Sequence, residues 1–174
     1  MKSSSLPSLK AIATSPNKKN GVTTAIASAW LLAGSLDIVA AILHAGLQGV
    51  PAVSVLKAVA SGAMGAAAFR GGSVAALTGL GLHFTIMLII VLCSWQLMQR
   101  FAWLAIKPWR AGVVLGIGVY LVMNLAVLPL SAIAYKPSYS WSSLLVGVGI
   151  HIMCVGLPIA WILQRRAARI KNQA

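Results

Sequence analysis

The chain predicts an all-α integral membrane protein with four transmembrane helices and one short interfacial or re-entrant helix. Three observations carry that expectation. First, 59% of the 174 residues are apolar and only 9% are charged, with a mean hydropathy of +0.89, whereas a soluble domain has about 25% charged residues. A core of this size cannot hide so much apolar surface from water, so lipid must solvate much of it. Second, four apolar runs reach the roughly 20 residues that a helix needs to cross a bilayer. Third, fourteen basic residues accompany a single acid, Asp37, for a net charge of +13, and the basic residues sit between the apolar runs and at the ends. That spacing excludes a nucleic-acid face, which would gather them on one surface. Anionic lipid headgroups are the partner it suits.

Residues 1–20 are rich in Ser, Lys and Pro without periodicity, which predicts a disordered basic tail. A basic segment before an apolar run resembles a signal peptide, but the run exceeds an h-region of about 7–15 residues and contains Asp37. It is read as the first span, Val22–Leu43. The next three spans are Gly72–Met98, Ala111–Ala134 and Trp141–Leu163. The membrane domain thus covers 21–165, and a basic tail follows over 166–174. Between the first two spans, Pro51–Phe69 is rich in Ala and Gly and holds Lys57. It is read as helical but too weakly apolar to cross. Pro51 suits its first turn.

Orientation follows from the basic residues. Lys2, Lys10, Lys18, Lys19, Arg100, Lys107, Arg110, Arg165, Arg166, Arg169 and Lys171 fall on one side of four spans. Only Lys57, Arg70 and Lys136 fall on the other, eleven against three. Both termini are therefore expected in the cytoplasm. Trp95, Trp103, Trp109 and Trp161 mark the inner boundary, and Tyr135, Tyr139 and Trp141 the outer one.

Small residues at four-residue spacing point to close helix packing. Gly112 and Gly116 form a GxxxG pair, and Ala58, Gly62 and Ala66 a second row. Pro129 and Pro158 are expected to kink their helices. The second and fourth spans share Gly79-Leu-Gly81-Leu-His83 and Gly147-Val-Gly149-Ile-His151, which suggests a two-span repeat. In that alignment Asp37 falls opposite Asn124.

The repeat gathers a polar layer, Asp37, His83, Asn124 and His151, one residue from each span. An ionisable group at bilayer depth costs roughly 2.5–3.5 kcal/mol on insertion scales unless something receives it. Three readings of the layer are open. Its members bond to one another across the bundle and fix register. Alternatively, the layer senses or conducts protons or ions. In the third reading, His83 and His151 ligate a b-type haem, with the preceding glycines making room for the macrocycle. In the first two readings Asp37 pairs with a neighbour, so Asp37→Leu is expected to strand that partner.

Other constellations are weaker. His44 lies at the outer end of the first span and suits a solvated position. Cys93 and Cys154 lie within apolar runs and make no disulfide framework. His151 and Cys154 share a face, but two ligands do not make a metal site. One carboxylate offers no acid–base pair, and no serine elbow is present, so no catalytic residues are assigned and no enzyme is expected.

Gly71-Gly72, Gly81-Leu82-His83-Phe84, Tyr120-Leu-Val-Met123-Asn124, Leu128-Pro129-Leu130-Ser131-Ala132 and His151 carry a resemblance. The stretch from Leu36 to Arg165 resembles a group of small, uncharacterised inner-membrane proteins of Gram-negative bacteria. The resemblance implies four spans in the bacterial inner membrane and brings no activity. The glycine-rich faces add an expectation of a homo-oligomer or of membership in a larger membrane complex.

Overall fold

The computed structural model describes residues 16–105, 107–133 and 140–172, with side chains over 21–101, 103–104, 107–133 and 140–165. The described residues are helical throughout, with no strand among them. Helix α1 is Pro16–Gly46, α2 Ala52–Met64 and α3 Gly72–Arg100. Helix α4 is Pro108–Leu130. Helix α5 runs through Trp141–Ile150, His151–Gly156 and Leu157–Asn172. Short 3-10 turns at Gly65–Arg70 and Ala102–Ala105 precede α3 and α4. Five stretches are long and apolar enough to cross a membrane: Gly21–Gly46, Ala52–Arg70, Gly72–Arg100, Pro108–Leu130 and Trp141–Arg165.

Helix α1 begins at Pro16, inside the expected tail. Proline lacks only an N–H that a first helical turn would leave unpaired anyway, so it starts a helix without cost. The remainder of that tail lies outside the described residues, as do Tyr135, Lys136 and Tyr139 of the expected outer belt.

The core is an apolar cluster at one end of the bundle. It joins Ala25, Ala29 and Ala33 of α1, Met87, Val91 and Met98 of α3, Ala111 and Leu115 of α4, and Val155, Ile159 and Leu163 of α5. The four-residue spacing in α1 and α5 puts each set on one face, and alanines let the backbones approach. Its α1 members precede Gly34 and its α3 members follow His83, while Gly34 and His83 touch each other. Helices α1 and α3 therefore run antiparallel.

The other end is built differently on its two sides. Around α3, the short α2 fills the space. A methyl group on Gly79 would fall on the Leu56 carbonyl oxygen and lie 3.1 Å from Ala60 N. On the far side, neither Trp141–Ile150 nor Met123–Leu130 contains a buried residue.

Helix α2 does not continue straight into the 3-10 turn. Lys57 Nζ donates to the Phe69 carbonyl at 3.4 Å. Twelve residues of straight helix would part these groups by about 18 Å, beyond the reach of a lysine side chain. The chain therefore doubles back at Gly65, whose φ of 58° lies in the left-handed region that glycine adopts readily.

Both expected kinks take one form. Helices α4 and α5 widen into π-helical turns, Met123–Val127 and His151–Gly156, just before Pro129 and Pro158. A proline ring clashes with the carbonyl four residues back and offers it no N–H. A wider turn relieves the clash and leaves the helix unbroken.

Candidate functional site

The polar residues lie at the edge of the packed core. Asp37 is placed there by its helix: Ala25, Ala29 and Ala33 form a buried row in α1, and Asp37 is the next position at the same spacing. It is half-buried, toward the π-helical turn of α5, within electrostatic reach of the Cys154 thiol.

The expected bonding across the layer does not form. Each proposed partner of Asp37 goes to a backbone carbonyl instead. His83 Nε2 donates to the Gly34 carbonyl at 2.8 Å, crossing from α3 to α1. Because a carbonyl oxygen only accepts, Nε2 carries the proton. Asn124 Nδ2 donates to the Tyr120 carbonyl at 2.9 Å, and His151 Nδ1 to the Gly147 carbonyl at 2.8 Å, each within its own helix. The physical reason is proximity: a carbonyl one turn back is always in reach of a helical side chain, whereas a carboxylate on another helix is not. Only His83 is buried; Asp37, Asn124 and His151 are half-buried. Asp37 makes no hydrogen bond or ion pair among the described residues.

Two clusters tie the helices to one another. On the α1–α3 side, the Trp30 indole N–H donates to the Phe84 carbonyl at 2.7 Å. The Trp30 and Phe84 rings meet edge to face at 5.9 Å, and the Phe84 ring fills the notch at Gly34. With the His83–Gly34 bond, this pins the two helices in both directions. On the α4–α5 side, the Tyr120 ring covers Gly147 and meets His151 edge to face at 5.5 Å.

The glycines of the supposed repeat thus have unlike surroundings. Gly79 receives α2 and Gly147 receives Tyr120, while Gly81 and Gly149 face open space. Of the four glycines that the haem reading reserved beside His83 and His151, Gly79 and Gly147 are filled by protein, and His83 Nε2 is engaged by the Gly34 carbonyl. Among the described residues, no three His, Cys, Asp or Glu side chains gather as a metal site. Cys93 and Cys154 are free thiols. His44 Nε2 accepts from Gln48 Nε2 at 2.9 Å in an exposed position, as suits the end of a span.

The Gly112–Gly116 pair does form a close contact, with a partner the sequence reading passed over. A methyl group on Gly116 would lie 2.5 Å from Ile152 Cα, and one on Gly156 would fall on the Gly112 carbonyl oxygen, 2.6 Å from Gly116 N. The second row works otherwise. Ala58 and Gly62 line a cavity with Ser131, the Gly62 carbonyl accepts from Ala132 N at 2.9 Å, and Ala66 is exposed. The backbone from Leu56 to Ala60 meets α3 instead. The sequence reading also missed the Ala25–Ala29–Ala33 row, although its four-residue spacing, ending on the one acid, was legible.

No family model, curated protein or solved structure matches this chain.

Proposed function

We propose that this is a non-enzymatic integral protein of the bacterial inner membrane, with four spans and cytoplasmic termini, in which Asp37 takes up a proton or a small cation. The observation that carries the reading is an acid within an apolar span, continuing the buried row of its helix, whose three expected polar partners are all committed to backbone carbonyls. A carboxylate without a protein partner in an apolar span is open to what solution supplies. The bacterial location rests on the family resemblance.

Two observations support four spans with α2 as a re-entrant element. Antiparallel α1 and α3 end and begin on the same side, so a segment joining them returns to the side it left. With five spans, the basic residues other than Lys57 would divide six against seven, erasing the bias that orients membrane proteins.

The test follows Trp30 fluorescence across pH in lipid nanodiscs, with and without sodium or potassium, and with Trp30→Phe as the blank. Wild type should titrate or respond to the cation. Asp37→Asn should do neither while keeping its helical circular dichroism. Identical profiles in the two proteins would overturn the reading. A Soret band in the purified protein would replace it with a b-type haem-binding electron carrier.

A second reading, a packing subunit of a larger membrane complex, is favoured by the unburied outer halves of α4 and α5, where Leu125, Leu130 and Trp141 are strongly exposed. Stable co-purification of a membrane partner in mild detergent, lost on Leu125→Ser, would support it.

A further inference from the structure

Helices α3 and α4 follow one another in the chain yet scarcely touch along their lengths. Between them lies a cavity of about 560 Å³, lined by Ile90, Leu97, Trp103, Val114, Gly118 and Val122 among others. Its one hydroxyl, on Ser94, is committed to the Ile90 carbonyl at 2.7 Å. A second cavity of about 340 Å³ shares Ile86, Met123 and Val127 with the first and continues toward α2. The result is a long apolar cleft, of a size that receives small ligands, with no protein filling it.

One end of the cleft is defined chemically. Phe101, Trp103 and Leu104 line it there, and Arg100, Lys107 and Arg110 stand exposed in the same connection. The chain has no acidic side chain besides Asp37, and Asp37 belongs to the other end of the core. Among the described residues, these cations therefore have no carboxylate side chain to pair with. Arg110 lies over the Trp109 ring at 5.2 Å. Trp103 and Trp109 are both more than half exposed, which suits the headgroup level of a bilayer.

We propose that this cleft holds an anionic phospholipid, with an acyl chain between α3 and α4 and its phosphate on Arg100, Lys107 and Arg110. An apolar groove ending in unpaired cations matches a molecule with an apolar chain ending in an anion. A second copy of this chain would match the groove but bring further positive charge to its rim. The site stands apart from Asp37 and does not rest on the role proposed for it.

The experiment is native mass spectrometry of the full chain in mild detergent, stripped of lipid and titrated with phosphatidylglycerol or phosphatidylcholine. A juxtamembrane cation contributes roughly fivefold in binding. Wild type should therefore retain phosphatidylglycerol roughly tenfold to a hundredfold better than phosphatidylcholine. Arg100→Gln/Lys107→Gln/Arg110→Gln should lose that preference, and Arg100→Lys/Arg110→Lys should keep it. Gly118→Phe should displace both lipids, since Gly118 faces open space where a ring enters the cleft without striking protein. Circular dichroism checks that each variant is folded. Equal retention of the two lipids by wild type overturns the proposal. So does undiminished binding in Gly118→Phe, competition by glycerol phosphate without acyl chains, or a lipid-free dimer cross-linked through Ile89→Cys.

Discussion

Asp37 shows how one residue is placed by its neighbours along the chain. Four-residue spacing continues the buried Ala25–Ala29–Ala33 row onto it, so Asp37 sits half-buried within electrostatic reach of Cys154 on α5. The sequence suggested that it would be held there by a histidine or an asparagine. It is not, which reverses the expected cost of removing it. Asp37→Leu strands no partner and removes a group that costs roughly 2.5–3.5 kcal/mol to insert. It should leave stability in detergent unchanged or raise it, read by unfolding in a denaturing detergent, while abolishing the proton or cation response. A loss above about 1 kcal/mol would mean that Asp37 has a partner after all. His83 behaves in the opposite way. Its bond to the Gly34 carbonyl joins two helices, and such bonds are worth about 0.6 kcal/mol and at most about 1.7. His83→Leu should cost that much and leave the Asp37 response in place.

Between elements, glycine decides how close the helices come. The α4–α5 contact closes because Gly112, Gly116 and Gly156 meet without side chains. Gly156→Ala should force the helices apart and cost about 1–3 kcal/mol, the usual range for overpacking. Gly149→Ala, a similar change seven residues away in open space, should stay within about 0.5 kcal/mol. Equal effects at the two positions would sink the notch as the basis of this contact. The π-helical turns belong to this scale too. They start at or beside the polar residues Asn124 and His151 and end just before Pro129 and Pro158. Proline thus acts by widening a turn, which also re-aims the polar side chains that it contains.

For the molecule as a whole, antiparallel α1 and α3 mean that α2 returns to the side it left if it is re-entrant. A re-entrant α2 predicts that cysteines at Ser54 and Gly71 label from the same, periplasmic side, and that reporters at Ser140 and after Ala174 report opposite sides. Labelling of Ser54 and Gly71 from opposite sides would make α2 a fifth span and invert everything after it. The interior differs from end to end. The end carrying Ala25, Met98 and Leu163 is tightly packed, while at the other end only α3 is covered, by α2. A response to a proton or cation at Asp37 would therefore be felt first in the loosely packed half, where fewer contacts resist movement.

Four long apolar runs, the helical character of Pro51–Phe69, and the close approach at Gly112 and Gly116 were all legible in the sequence. Each depends on local spacing: hydropathy over about twenty residues, or one position in four along a helix. Which groups those faces meet was not legible. His83 reaches Gly34, Gly79 receives Leu56, Gly156 completes the glycine notch, and α3 and α4 part to leave a cleft. These depend on the depth and angle at which helices distant in sequence cross, and no spacing within one helix encodes that. The polar layer is the clearest case. Its residues were legible as polar positions within apolar spans, but the hydrogen bonds of His83, Asn124 and His151 went to carbonyls that every helix offers and that no sequence pattern distinguishes.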